Sequence, residues 1–464
     1  MGLEAYRQFI AQKKRGFEAR GIKKWRHFDE SLRGDQVHGV EFALRAGCSA
    51  LFYDTGLGKS RMSHVWAQRI IEATNKPCLL LAPLAVGHQH AREAASIGVD
   101  AQVIRDGSEA TGKKIYIINY DRMDRIDPAK FGSVILDESS IIKNFTGATT
   151  RKLTESFAKT PYRLCCTATP APNDFTEIGT HAEFLSVMRR DEMLPIWFIH
   201  DSADTGTWRI KGHAQDDFWN WVAGWARCVE KPSDIGFSDK GFDLPDLIIH
   251  HHEVKADLSL NCGAEDDGQH RLFRMPECSA TSIHREKRLS LDARADAIAA
   301  AVLGEPMTRW LIWCETNEEE DALVDRIPGA SAIRGSQNPD EKEARMIAFL
   351  DGKTQHLVTK ASIAGFGINA QCCSHMAFVG LSFSFEQYYQ AVRRCWRFGQ
   401  TKPVHVHIAG TEAERSIQTV ISRNSDDHGA MKQSMRRAMS AVASKQQANV
   451  SYQPGKAAIM PAWL

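Results

Sequence analysis

Ala50-Leu51-Phe52-Tyr53-Asp54-Thr55-Gly56-Leu57-Gly58-Lys59-Ser60 is the stretch that decides the fold. Ala50–Tyr53 is a short apolar run. It enters a turn with two glycines, and a helical period opens behind it from Arg61 to Ile71. Such a run, closed by a turn and followed by a helix, reads as a buried parallel strand feeding a crossover helix. Backbone N–H groups of the turn and the helix N-terminus then face phosphate oxygens. In a loop of this kind Lys59 reaches the β and γ phosphates and the Ser60 hydroxyl ligates Mg²⁺. The strict loop pattern has glycine where this chain has Tyr53.

Working outward, Cys78–Ala82, Ile115–Asn119, Val134–Leu136 and Tyr162–Thr167 repeat the short apolar run, each separated from the next by helix-like segments. A second series follows at Trp310–Cys314, Ala332–Arg334, Leu357–Thr359, Met376–Val379 and Val404–Ile408. The pattern predicts an α/β chain with two tandem doubly wound parallel sheets. Between the series lie Trp197, Trp208, Trp219, Trp221 and Trp225, and Phe218, Trp221, Val222 and Trp225 share one helical face. This predicts a mostly helical insertion that packs its own small core; a base-stacking platform is the alternative. The expected divisions are a basic arm over 1–30, an ATP-binding lobe over 31–180, the insertion over 181–283, a second lobe over 284–422, and a helix and tail over 423–464.

The chain of 464 residues holds 58 Lys and Arg against 57 Asp and Glu. That balance excludes a body that grips nucleic acid by bulk charge, and leaves room for a basic groove offset elsewhere. Residues 1–26 carry eight basic against two acidic side chains, which fits a solvated amphipathic helix or a phosphate-contacting arm. No apolar run approaches the roughly 20 residues of a membrane helix, and the N-terminus lacks the order of a secretory signal. Eleven cysteines, an odd number without framework spacing, read as reduced thiols. The expected compartment is the cytoplasm, or a host's cytoplasm for a viral chain.

Three further motifs carry chemistry. Val134-Ile-Leu-Asp137-Glu138-Ser139-Ser140 delivers two carboxylates at a strand end, where α/β sheets bind ligands. Asp137 would hold Mg²⁺ through its water shell, and Glu138 would orient or deprotonate the attacking water. Cys166-Thr167-Ala168-Thr169-Pro170 places two hydroxyls at another strand end, fit to link a γ-phosphate sensor to a moving lobe. Gln390-Ala-Val-Arg393-Arg394-Cys-Trp-Arg397-Phe-Gly399-Gln400 sets Arg394 and Arg397 three apart, hence on one helical face, to meet the spread charge of a transferring phosphoryl group. Trp396 and Phe398 interleave with them, as in a partly buried helix. His250-His251-His252 with Cys262, His270, Cys278 and His284 lacks zinc spacing and reads as a strand and loop.

Taken in order, these residues resemble superfamily-two helicases, and within them the Swi/Snf-type ATP-dependent DNA translocases, in a minimal prokaryotic or phage version. Leu32-Arg33-Gly34-Asp35-Gln36 is similar to the family's adenine-reading segment, and Thr55, Gly56, Leu57, Gly58, Lys59 and Ser60 to its nucleotide loop. Leu81-Ala82-Pro83-Leu84 resembles the first strand-tracking motif, and Asn119-Tyr120-Asp121 the next segment. Asp137-Glu138 with Ile142-Lys143-Asn144 resembles the acidic box, and Thr167-Ala168-Thr169-Pro170 with Asn173 the coupling motif. Thr359-Lys360-Ala361 and Gly365-Phe366-Gly367-Ile368-Asn369 resemble the fifth motif, and Gln390, Arg394, Arg397, Gly399 and Gln400 match the sixth. The acidic box reads D-E-S-S here, and the fifth motif has extra residues between Lys360 and Gly365.

The resemblance implies two RecA-like lobes with ATP and Mg²⁺ between them. Gln36, Gly367, Asn369 and Gln390 would contact nucleotide. Pro83, Thr167, Thr169, Thr359 and Lys360 would serve nucleic-acid contact or coupling. The implied activity is DNA-dependent ATP hydrolysis and movement along duplex DNA without sequence preference, in replication, recombination or repair. An RNA or single-strand helicase and a nucleotide-binding scaffold without hydrolysis are the rival expectations. No membrane partner is expected, and no protein partner is legible.

Overall fold

The structure is a computed structural model that describes residues 17–28, 31–83, 86–200, 208–255, 287–364, 369–382 and 384–446. The chain divides into two compact units, Met1–Lys240 with Asp427–Leu464, and Gly241–Asp426.

The first unit is built on seven parallel strands: β1 (Cys48–Tyr53), β2 (Cys78–Ala82), β3 (Ala101–Val103), β4 (Ile115–Asn119), β5 (Ser133–Asp137), β6 (Tyr162–Cys166) and, from the Trp-rich stretch, β9 (Ala226–Val229). Their order is β3-β4-β2-β5-β6-β1-β9. β2 reads C-L-L-L-A and is buried throughout, because helices cover both faces and leave no face for polar residues. β5, β6 and β1 are neighbours, in register Leu136↔Cys165 and Ala50↔Cys165. The loops that follow these three strands, with Lys59, Asp137-Glu138 and Thr167, therefore open side by side at one sheet edge, although more than a hundred residues separate the first from the last.

The Trp-rich stretch departs from its expectation as a separate, mostly helical insertion. Trp197, Phe218, Trp219, Trp221 and Trp225 lie in the same core as Leu79, Ile118 and Leu136. Helix Gln215–Trp225 turns the predicted apolar face onto the sheet, where Trp225 meets Phe52 edge-on at 6.1 Å. β9 then pairs with β1, Tyr53 opposite Val229. Burial takes these indoles out of reach of a base-stacking role. The stretch also holds a small antiparallel ribbon, β7 (Phe198–His200) with β8 (Trp208–Ile210).

The second unit begins about forty residues before the expected boundary at 284. β10 (Leu247–Glu253) already belongs to its sheet, paired in parallel with β15 (Val404–Gly410). The six-stranded order is β10-β15-β14-β11-β13-β12, with β11 (Trp310–Cys314), β12 (Ser331–Ile333), β13 (His356–Lys360) and β14 (His375–Phe378). The expected pair of doubly wound parallel sheets is thus present.

The chain ends its described part in one long helix, Arg415–Gln446. Its buried positions Ile417, Ile421, Asn424, His428, Met431, Met435 and Ala438 alternate by four and three, which keeps a single face inward. Ile417 and Ile421 join the core of the second unit, and Met431, Met435 and Met439 that of the first. The expected boundary at 422 falls inside this helix. Residues 1–16 of the basic arm and the tail after Gln446 lie outside the described residues. Within the described part of the arm, the N–H groups of Arg20, Gly21 and Ile22 donate to the carbonyls of Ala46, Arg45 and Leu44, supplying partners to the last turn of helix Gly34–Ala46.

Candidate active site

The loop after β1 turns through Gly56 (φ 86°) and Gly58 (φ 85°), left-handed positions that favour glycine, and Lys59 opens helix Lys59–Thr74. Gln36 and Arg33 hold this loop. The Gln36 amide donates to Leu57 O (3.0 Å), as does the Arg33 guanidinium (3.1 Å), which also grips Asp35 through two bonds of 3.0 and 2.9 Å. A Cβ on Gly58 would stand 2.2 Å from Gln36 Nε2. Gln36, the residue expected to read adenine, thus braces the Gly56–Gly58 turn. Lys59 Nζ donates to Tyr53 O (2.8 Å) and Asp54 O (3.3 Å). Burial holds its ammonium below the usual lysine range, against the pull of Glu138, Asp54 and Asp137.

β5 delivers Asp137 into a chain of imidazoles. His90 Nε2 lies 3.0 Å from Asp137 Oδ2, and His90 Nδ1 lies 3.0 Å from His64 Nε2. Both rings are buried, His64 on helix Lys59–Thr74 and His90 on helix Gly87–Ser96. Burial disfavours the charged form of each. In His90 the charge and hydrogen bond of Asp137 outweigh burial and raise its pKa, whereas His64 stays well below the usual histidine range. Tyr120 fixes the backbone here, its hydroxyl donating to Asp137 O (2.8 Å).

Glu138 adopts φ 54°, ψ 57° without being glycine, a conformation costing roughly 1–2 kcal/mol. The Thr167 hydroxyl donates to Glu138 Oε2 (3.3 Å) and accepts the N–H of Thr169 (3.1 Å). Of the two hydroxyls in Thr167-Ala168-Thr169, that of Thr167 touches Glu138. Behind the acidic box Ser139 Oγ meets His181 Nε2 at 3.1 Å, with His181 held neutral by burial. His64, His90 and His181 had no motif to announce them. Each is a buried histidine on a helix, which sequence alone does not distinguish from an ordinary core histidine. Pro83 closes β2 and is half-buried.

In the second unit, helix Phe385–Cys395 carries Gln390, Arg393 and Arg394. It stops at Cys395, so Arg394 and Arg397 do not share a helical face as their spacing predicts. Trp396 ends the helix, its indole N–H donating to Pro245 O (2.7 Å), and Gly399 (φ 93°) turns the chain. Arg397 lies in that turn. Arg394 Nε donates to Gln390 O (3.1 Å). The interleaved aromatics enclose Arg393, whose guanidinium stands 5.1 to 5.9 Å from the rings of Trp396, Phe398 and Tyr389. Gln400 ties the turn to Gln371 O and Cys373 O at 3.0 Å each.

Of the fifth motif, Gly367 lies outside the described residues and Asn369 is exposed. Thr359 is fully buried, its hydroxyl donating to Ile333 O (3.3 Å) on the neighbouring strand. That burial takes Thr359 out of direct contact with nucleic acid, one of its two expected roles. Lys360, one residue on, points out, bonds Asn317 Oδ1 (2.7 Å) and lines a cavity of about 200 Å³ with Glu315, Ser362, Ser382 and Tyr388.

The histidine run lies on β10. His250 and His252 share a face and pair with His405 (3.0 Å) and His407 (2.9 Å) of β15, ring on ring. Among the described residues no group of three or more His, Cys, Asp or Glu is placed to hold a metal ion. Cys262, His270, Cys278 and His284 lie outside them.

Residues 293–399, from helix Leu291–Gly304 to the turn at Gly399, match the helicase conserved C-terminal domain. That segment is similar to a helicase C-terminal domain. The match ends at the glycine that follows Arg394 and Arg397. Among solved structures the chain is similar to the Sulfolobus solfataricus SWI2/SNF2 ATPase core in complex with dsDNA, at 16% identity and a TM-score of 0.42, over 90% of this chain and 96% of that one. No curated protein matches the chain. No described helix is long and apolar enough to cross a membrane.

Proposed function

We propose that the chain is an ATP-dependent translocase of the Swi/Snf type that hydrolyses ATP and moves along duplex DNA. The observation that carries this reading is the meeting of three loops on adjacent strand ends, with Thr167 bonded to Glu138 and Lys59 in the field of Glu138 and Asp137. A helicase C-terminal domain in the other unit supports it.

The residues fit a magnesium nucleotide. Thr55, Gly56, Leu57, Gly58 and Ser60 present a glycine turn and a helix N-terminus to phosphate oxygens, and the Lys59 amine is bonded to two carbonyls of that turn. The Ser60 hydroxyl and Asp137 carboxylate are hard oxygen donors, the set that would hold Mg²⁺. Bound there, the ion offsets negative charge on the phosphates. Asp137 keeps one oxygen on His90, which fixes the orientation of the other. Glu138 orients the attacking water and takes its proton, with Thr167 holding the carboxylate. Gln36 fixes the loop and lies where the family resemblance puts the adenine contact.

Arg394 and Arg397 of the helicase domain stabilise the charge of the transferring phosphoryl group, and Gln390, Gly367 and Asn369 complete its nucleotide contacts. Pro83 and Lys360 serve backbone contact with DNA, and the buried Thr169 serves its coupling to hydrolysis. Contact through phosphates is sequence-tolerant and weakens with salt.

The test is phosphate release from ATP without nucleic acid and with duplex DNA, single-stranded DNA or RNA, at rising salt. Duplex DNA is expected to stimulate most, and the stimulation to fade with salt. Stimulation only by single strands or RNA replaces the duplex assignment. Nucleotide bound without release under every condition replaces the motor with a scaffold.

A further inference from the structure

The nucleotide loop is held from the far end of the chain. Lys432 Nζ lies 3.2 Å from Asp54 Oδ2, across 378 positions of sequence, with the side chains 7% and 4% exposed. Asp54 is the residue that leaves β1 and starts the phosphate turn. Its other carboxylate oxygen accepts the N–H of Thr55 (2.7 Å), and its own N–H donates to Val229 O (2.8 Å). The lysine belongs to helix Arg415–Gln446, whose docking on this unit is independent of the loop. Met431, Met435 and Met439 enter the core, Met439 Sδ accepts the N–H of Cys228 (3.0 Å), and Arg436 pairs with Glu230 (3.1 Å) and Asp234 (3.2 Å). His428, one turn before Lys432, is buried as well.

A carboxylate this deeply buried needs a cation beside it, and a cation there needs the carboxylate. With one oxygen committed to Lys432 and the other to Thr55 N–H, the Asp54 carboxylate has a single orientation, and the first peptide of the phosphate turn is fixed with it. We propose that Lys432 is a positioning residue of the nucleotide loop, which makes the C-terminal helix a working part of the ATP site. Lys432 acts through Asp54 and does not touch the nucleotide. The inference rests on the ATP reading of this loop and adds to it a residue that no loop motif contains. It also gives a reason for a lysine at an inward position of a methionine-lined helix face.

The experiment uses the full chain and compares wild type with Lys432→Met and Arg436→Gln, the second removing a docking ion pair of the same helix away from Asp54. Equilibrium binding of a fluorescent ADP analogue, KM and kcat for phosphate release, and Tm are measured. Lys432→Met is expected to weaken nucleotide binding and raise KM by about tenfold or more, with a smaller change in kcat. Arg436→Gln is expected to lower Tm and leave nucleotide affinity within about twofold of wild type. Wild-type affinity in folded Lys432→Met overturns the proposal. So does an equal loss in Arg436→Gln, which would reduce the effect to helix docking. Should Lys432→Met fail to fold, Asp54→Asn/Lys432→Met removes both buried charges; weak nucleotide binding in that folded variant supports the proposal, and wild-type binding overturns it. A wild-type protein that binds no adenine nucleotide overturns the ATP reading itself and this inference with it, an outcome distinct from any difference between variants.

Discussion

His90 stands directly behind Asp137, its Nε2 3.0 Å from Oδ2, and links that carboxylate to a second buried imidazole at His64. A carboxylate tied at one oxygen presents the other in a fixed direction, as outer-shell partners do for metal ligands. Replacing His90 by Ala frees Asp137 to rotate. The expected result is a Mg²⁺ requirement for phosphate release raised by about 10- to 100-fold, with the fold retained. Titrating Mg²⁺ against activity checks it, and an unchanged half-saturation counts against a role for His90.

Glu138→Gln keeps the size of the side chain and its contact with Thr167 but removes the base. Turnover is expected to fall by roughly 10²- to 10⁴-fold while nucleotide still binds. Hydrolysis at the wild-type rate in the purified variant would return the proton to another acceptor.

Gly58→Ala meets two obstacles at once: φ of 85° and a Cβ 2.2 Å from Gln36 Nε2. The backbone alone costs roughly 1–2 kcal/mol. Nucleotide affinity is expected to be lost together with the Gln36–Leu57 bond, read by binding of a fluorescent nucleotide. Full affinity in Gly58→Ala would show that the loop does not use this turn for phosphate.

Arg397→Ala removes a guanidinium from the turn that follows helix Phe385–Cys395. Nucleotide binding is expected to survive, and kcat to fall by about 10³-fold or more. A large loss of affinity with normal turnover would assign Arg397 to ground-state binding.

Burial keeps His407 and His428 neutral, each with its pKa lowered to about 3, and His181 with its pKa lowered to about 4. In the unfolded chain these rings protonate near pH 6.5. Between that value and their folded pKa the unfolded state binds more protons, so stability is full above about pH 6.5 and falls as pH falls below it. Tm is expected to drop from pH 7 to pH 5, and His407→Asn to flatten part of that slope. A Tm independent of pH over this range would mean that these rings are not held neutral.

Much of the fold was legible because its strands are buried on both faces. C-L-L-L-A at 78–82 and W-L-I-W-C at 310–314 need no context to be read as central parallel strands. Lys59, Asp137, Glu138 and Thr167 were legible because each follows such a strand. The Trp-rich stretch was misread because the periodicity of Phe218, Trp221 and Trp225 reveals an apolar face without naming the surface it covers. The shared helical face of Arg394 and Arg397 failed because a three-residue spacing says nothing of where a helix stops.

By itself the sequence determined the two α/β series, the glycine turn before Lys59 and the acidic strand end, since local hydrophobic period and turn chemistry specify these within a few residues. Only the tertiary structure decided that β9 extends the first sheet and β10 the second, that His90 backs Asp137, and that Lys432 closes on Asp54. These are pairings between groups distant along the chain. They are set by which buried surfaces and charges find a complement once the sheets have formed, and no local window of sequence contains both partners.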